Sequence, residues 1–261
     1  MSLPRHNVIT LFSYGCLLGP SQTARALDGI TLDRRDIAWV HHHHISEENL
    51  DQINEALINA YNQFQLPKIW GSGKSASADG TKWDIYEDNL LASYHLRYGG
   101  YGGIAYYHIS DTYIALFSNF FVCGAWEGTY ILDIFEKNQS DIQPDILHSD
   151  THGQSEPIFG LAFLLGIKLM PRIKGWKHLT FYRPNKTARY EHIDDLFSFT
   201  IDWDLITTHL PDMLRIVLSI RARRICPSAI LRRLSTYSRK NRLYQAFAEL
   251  GCAIRTTFLL Q

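Results

Sequence analysis

An α/β fold with a mixed sheet, entered through helices and left through helices, is what this 261-residue sequence predicts. Three observations carry the prediction. Helical spacing of apolar residues dominates positions 1–66, the pattern switches to strand at Trp70, and it returns to helix beyond Gly175.

The bulk numbers set the frame. A hydrophobic content of 46% with 20% charged residues belongs to a folded globular chain, not a disordered one. The four cysteines, Cys16, Cys123, Cys226 and Cys252, are scattered and form no C-x-x-C pair. That argues against a zinc ribbon and points to a reducing compartment. The longest nearly unbroken apolar run, Ile158 to Ile167, is too short to span a bilayer, so no membrane partner is expected. Val8 to Gly19 behind Arg5, followed by Ala24-Arg25-Ala26, imitates an export signal. Ser13, Tyr14 and Cys16 dilute it, and an arginine is out of place in a cleavage motif, so the expected location is cytoplasmic.

Within residues 1–66, Ser21 and Ser46 are candidate N-caps. Leu50, Ile53, Leu57, Ile58, Tyr61 and Phe64 keep helical spacing until Leu66-Pro67 ends it. His41 to His44 read as the close of a helix rather than as a metal site. Asp79, flanked by the small residues Ala76, Ala78 and Gly80, lies in an extended run ending near Trp83. "RYGGYGG", Arg97 to Gly103, is expected to turn. "GIAYYHIS" and "TYIALFSNFFVC" then read as two strands joined at Ser110-Asp111. Trp126 to Asn138 reads as a helix with Tyr130, Ile131, Ile134 and Phe135 on one face. "PDILHSD" is a short strand that delivers Asp150 at its C-terminal end. Ser155-Glu156-Pro157 opens a helix that Gly166 closes, and "IKLMPRI" is a last strand whose Pro171 favours an edge. Further on, Leu210, Met213, Leu214, Val217 and Leu218 form one helical stripe and Leu243, Phe247, Leu250 and Ile254 another. Between them, Ser228 is a candidate cap.

Three strands, a helix, a strand, a helix and a strand make up the ribonuclease H-like order, with part of the sheet antiparallel and part parallel. In that order the first and fourth strands are neighbours at the sheet centre, and one carboxylate from each can meet over it.

Gly-Ser-Gly-Lys-Ser at 71–75 does not complete a phosphate-binding loop, because the first glycine of that motif would fall on Lys68. Attention passes to Asp79 and Asp150. Two such carboxylates, joined by a third from a later helix, can hold two divalent ions about 4 Å apart. Hard oxygen ligands favour Mg²⁺, with Mn²⁺ as a substitute. Taken singly, each aspartate reads rather as the end of a strand or part of a turn; taken with the sheet order, the metal-binding reading stands level with that one. A rival pattern is His148, Asp150 and His152, which would share one face of a strand and could bind zinc or iron. No G-x-S-x-G supports a serine triad. Between Asp212 and Glu249 there is no acidic residue, while nine basic ones occur: Arg215, Arg221, Arg223, Arg224, Arg232, Arg233, Arg239, Lys240 and Arg242. With a net charge of zero overall, the rest of the chain carries −9. A positive stretch beside acidic residues suits polyphosphate held near a carboxylate metal site; a solvated helix face is the plain alternative.

Longer blocks are more specific than these motifs. "SYGCLLGPSQTAR", "LPKIWGSGKSASADGTKWD", "YHLRYGGYGGIAYYHISDTYIALFSNF", "SDIQPDILHSDTHGQSEPIFGLAFLLGIKLMPRI", "HLPDMLRIVLSIRA" and "ILRRLSTYSRKNRLYQAFAELG" closely resemble the catalytic region of Tn3-family transposases, nearly end to end. The resemblance implies a D-D-E site on a ribonuclease H-like core. "SADG" places the first catalytic, metal-binding aspartate on Asp79, and "HSDTHG" places the second on Asp150. It implies Mg²⁺ as cofactor, double-stranded DNA (transposon ends and target) as partner, a homodimer as a candidate assembly, and a bacterial, nucleoid-associated location. The activity implied is cleavage at transposon ends and transfer of the 3′-hydroxyl in replicative transposition.

The expected division is a helical lead-in over 1–68, a catalytic core over 69–175, and a helical, basic insertion over 176–261. The nine basic residues and "RYGGYGG" are then candidates for touching DNA. Family members are longer, with DNA-binding domains ahead of this region. Their glutamate falls on a helix beyond Gln261, and Glu156, Glu191 and Glu249 do not match it. The expectation is thus a fragment cut at both ends, either retaining the transposase core or surviving as an inactive remnant that at most binds DNA or transposase subunits.

Overall fold

The computed structural model describes residues 3–27, 29, 32–175, 177, 179–236 and 240–261, and only the backbone for Leu3, Phe135 and Glu136. The chain divides into two compact units, Met1–Ala60 and Tyr61–Gln261. Among the described residues no helix is long and apolar enough to cross a membrane.

The first unit is helical: α1 Leu3–Gly15, α2 Gly19–Ala26, α3 Arg34–His44 and the greater part of α4 Glu47–Asn62. Asp33 caps α3, accepting from the N–H groups of Arg35 and Asp36, while the Asp36 carboxylate accepts from Asp33 N–H in return. The histidine run ends α3 as expected. Ser46 Oγ accepts from Asn49 N–H at 3.2 Å at the start of α4. Ser21, by contrast, lies inside α2, which Gly19-Pro20 opens because proline needs no donor in a first turn.

The second unit begins with the short α5, Pro67–Trp70, and then builds a six-stranded sheet from β1 Ser75–Asp84, β2 Ser93–His95, β3 Gly100–Ser110, β4 Ala115–Val122, β5 Ile146–Ser149 and β6 Lys168–Pro171. Its order is β2-β3-β1-β5-β6, with β4 also on β3. Three pairings of β3 are antiparallel, while β1 with β5 and β5 with β6 are parallel. β6 is an edge strand that ends on Pro171, where a missing donor costs nothing.

"RYGGYGG" is only half a turn. Leu96–Tyr98 form a 3-10 turn that Gly99 closes at φ 68°, and the remaining glycines run inside β3. Gly102 and Gly103 are needed there because neighbours crowd in: a Cβ on Gly102 would lie 2.5 Å from the Trp83 carbonyl, and one on Gly103 would lie 2.4 Å from the Phe120 ring.

Residues 127–133 form a buried 3-10 helix, and only α6, Ile134–Lys137, is α-helical in that region. α7, Glu156–Leu164, has Ser155 before it and ends at Gly166, whose φ is 80°. Beyond it a small parallel pair, β7 Phe181–Arg183 and β8 Phe197–Thr200, breaks the expected run of helix. α8 Trp203–Arg221, α9 Pro227–Ser235 and α10 Arg242–Leu259 follow. Met213, Val217, Phe247 and Leu250 are buried as their stripes predict, whereas Leu214 and Leu218 are exposed. Ser228 does not cap α9: Cys226 holds the N-cap position, and the Ser228 N–H donates to Asp133 Oδ1 at 2.8 Å. The carboxylate that caps this helix thus comes from 95 residues away.

Candidate active site

β1 buries alternate residues. Ala76 and Ala78 point into the core, and Ser77, Asp79 and Thr81 are exposed on the opposite side. Gly80 N–H donates to Asp79 Oδ1 at 2.8 Å. The parallel register with β5 runs from Ser75–Ile146 to Ala78–Ser149. Asp79 and Asp150 are each one residue beyond that last pair, Asp79 still within β1 and Asp150 just past the end of β5. β5 stops there because Asp150 caps the 3-10 helix Thr151–Gln154, its Oδ1 accepting from His152 N–H at 3.0 Å. Asp150 Oδ2 lies 3.9 Å from His152 Nε2. Gly153 lets this turn fold back on the strand, since a Cβ there would fall 2.0 Å from Ser149 Oγ.

A third carboxylate joins them electrostatically. Glu127, 8% exposed, packs over Gly80, where a Cβ would meet its Oε2 at 2.4 Å and the Tyr106 ring at 3.1 Å. Burial raises the Glu127 pKa, His152 opposes the rise, and the charges of Asp150 and Asp79 add to it. Tyr106 is fully buried, and its hydroxyl has no hydrogen-bond partner among the described residues. Burial first, then Asp150, Glu127 and Asp79, push that phenol well above its ordinary range. The buried Tyr106 hydroxyl thus feels the charges of Asp150, Glu127 and Asp79, from the face of β1 opposite to the Asp79 side chain.

Comparison with known proteins places this geometry. The family model described as the Tn3 transposase DDE domain matches residues 2–261. The chain belongs to that family. It is 29% identical over 96% of its length to the transposase for transposon Tn1546 of Enterococcus faecium, and 30% identical over 96% to that for Tn3926 of Escherichia coli. The transposase for transposon gamma-delta of Escherichia coli is 31% identical over 88% of the chain. These alignments span 25%, 26% and 23% of the relatives, so the chain covers about a quarter of their length. No solved structure matches it.

Within this member of the Tn3 family, the rival pattern of His148, Asp150 and His152 dissolves. The strand ends at Ser149, so His152 sits in the 3-10 helix and the alternation is lost. Among the described residues no group of three or more histidines, cysteines, aspartates or glutamates is placed to hold a metal ion. Asp79 and Asp150 nevertheless carry oxygen donors of the kind a hard divalent cation takes, and Glu127 is coupled to both by charge. Sequence reasoning missed Glu127 and Tyr106. Nothing marks a lone glutamate before a glycine; only Gly80, the residue after Asp79, hints that something packs close.

The basic residues sit on α8, on α9 and on the segments that follow them. All the described ones are exposed, and Arg239 lies outside the described residues. They are not equivalent. Arg215 pairs with Asp212 at 2.7 Å, and Arg221 Nη2 donates to the Leu165 carbonyl at 3.0 Å, fastening α8 to the end of α7. Arg242 reaches Gln245 Oε1 at 3.2 Å. Arg232 stands 3.5 Å from the Tyr130 hydroxyl, and Arg223, Arg224, Arg233 and Lys240 complete the set.

Proposed function

We propose that this chain forms the ribonuclease H-like catalytic part of a Tn3-type DNA transposase, with Asp79 and Asp150 as the catalytic carboxylates. The parallel register of β1 and β5, which pairs Ala78 with Ser149, the residues just before Asp79 and Asp150, is the observation that carries the proposal. The strand path β4-β3-β1-β5-β6 supports the ribonuclease H-like assignment, with the first and fourth core strands adjacent. The relatives are transposases for transposons, and the activity brought here from them is cleavage at transposon ends followed by strand transfer to target DNA.

Asp79 and Asp150 would hold Mg²⁺, or Mn²⁺ in its place. When bound, the ion supplies Lewis-acid stabilisation of charge that develops on the phosphodiester. The protein's own part is to hold two carboxylates just beyond the paired stretch of β1 and β5 and to back them with the buried Tyr106 and Glu127. Residues 69–175 act as the core, 1–68 as a lead-in and 176–261 as an insertion. Arg215, Arg221, Arg223, Arg224, Arg232, Arg233, Arg239, Lys240 and Arg242 are proposed to contact phosphates. A homodimer on double-stranded DNA, associated with the nucleoid, is the assembly this reading favours.

A second reading has the chain hold DNA without cutting it alone. The lack of a third metal-ligating group beside the aspartate pair among the described residues favours it. Incubation of the chain with a transposon-end duplex and Mg²⁺ separates the two. Nicking that Asp79→Asn or Asp150→Asn lowers at least about 100-fold, with DNA binding kept, is the expected result. Binding without nicking supports the second reading, and nicking indifferent to both substitutions overturns the site.

A further inference from the structure

Immediately beyond Asp150 the chain lines a cavity of about 540 Å³, within the range that binds small organic ligands. Thr151 and His152 form its near wall, so a strand held at Asp150 passes its mouth within two residues. Trp126 forms another wall and is 43% exposed. Its ring is packed along one edge. It packs on Gly128, where a Cβ would lie 2.7 Å from the indole and 2.8 Å from the His152 carbonyl. Its carbonyl accepts from the Thr129 hydroxyl at 2.8 Å. An aromatic face already fixed in place loses little entropy when a planar ligand stacks on it.

Apart from Leu179 and the Tyr182 ring, the remaining walls are mostly polar and include two cations, Arg255 and Lys174. Arg255, 8% exposed, is anchored by Glu156 at 2.7 Å and by the Gln154 carbonyl at 3.2 Å. Glu156 is thereby neutralised, and the exposed Lys174 is left to favour an anion. The Lys174 backbone is fixed by its N–H to Gln154 Oε1 at 3.0 Å. A flat hydrophobic face, polar walls and a cation at the rim match a base, a sugar and a phosphate in turn. The concavity suits one nucleotide and excludes a duplex, whose stacked pairs present no free face to the indole.

We propose that this cavity is a nucleotide pocket with Trp126 as its stacking platform, receiving one unstacked nucleotide of the strand that lies at the carboxylates, an assignment that rests on the reading of Asp79 and Asp150 above. Fluorescence anisotropy of the full chain with a short labelled oligothymidylate, and with a labelled duplex, both in EDTA, tests it. Trp126→Leu, which keeps an apolar side chain and removes the aromatic face, is expected to weaken single-strand binding about 10-fold and to leave duplex binding within about 2-fold. Lys174→Glu, at an exposed position, is expected to weaken single-strand binding as well. Thymidine 5′-monophosphate should compete for the pocket if the free nucleotide suffices; competition only by an oligomer assigns the ligand to the strand. Either result supports the pocket. Single-strand affinity unchanged in both variants overturns it, as does an equal loss for duplex in Trp126→Leu. The two ideas are kept apart by their readouts: the pocket is read as oligothymidylate affinity in EDTA and the cleavage site as nicking in Mg²⁺, so a failed pocket leaves the cleavage assay untouched and a failed cleavage site leaves the Trp126 effect standing.

Discussion

His108 is the residue whose burial has the clearest measurable consequence. It is fully buried in β3, its Nε2 hydrogen-bonded to the Ile131 carbonyl at 2.8 Å and its ring stacked on Phe117. Burial lowers its pKa from 6.5 to about 4, because the imidazolium would lose its hydration. The folded state therefore binds this proton less readily than the unfolded state. The stabilisation is complete above pH 6.5 and is lost as pH falls towards 4, by about 3 kcal/mol in all. Glu127 and Asp133, whose pKa values burial raises, act in the opposite sense over the acid range. Urea unfolding of the parent chain and of His108→Gln at pH 7.5, 6 and 5 isolates the histidine. The stability gap between them should narrow steadily as pH falls, and a constant gap would mean the ring is charged or hydrated in the fold. Asp79 and Asp150 were legible as residues, since one lies among small residues inside an extended run and the other closes one. His108, Glu127 and Tyr106 were not, because burial and a shared neighbourhood leave no local signature.

At the scale of elements, two helices meet through glycine. α7 crosses α10 with Gly160 and Gly251 at the contact: a Cβ on Gly160 would lie 2.2 Å from the Phe247 carbonyl, and one on Gly251 would lie 1.7 Å from the Glu156 carbonyl. Both obstacles are backbone, so no side chain can move aside. Gly251→Ala is expected to destabilise by about 3 kcal/mol or more, read as a lower urea midpoint, even though alanine favours helix. The same residue type misled the turn expected at "RYGGYGG". Glycine marks either freedom of φ or a close approach, and the sequence does not say which; in β3 the neighbours Trp83 and Phe120 require the second. β7 and β8 went unread because three or four residues are too short for periodicity to register. The β1, β3, β4 and β5 strands were legible, being long or bounded by turn residues.

Across the molecule, charge is segregated: nine basic residues follow Asp212 in an otherwise acidic chain. Arg223 and Arg224, exposed in the segment after α8, are set to test whether that charge meets DNA. If each neutralises one phosphate, Arg223→Ala with Arg224→Ala should reduce the slope of log affinity against log salt by about 2. Titrations at several salt concentrations measure this directly. An unchanged slope would make these arginines part of a solvated surface.

Taken alone, the sequence determined the family, the mixed α/β class, the positions of the principal helices and strands, and which two aspartates to examine. Long blocks of side chains and their periodicity are local properties, and they survive without coordinates. What only the tertiary structure decided is who meets whom. The register that pairs Ala78 with Ser149, the packing of Glu127 and Tyr106 against Gly80, the Asp133 cap on α9 and the Trp126 cavity all join residues distant in the chain. Such meetings are fixed by burying apolar faces against one another, a cooperative outcome that no single stretch of sequence contains.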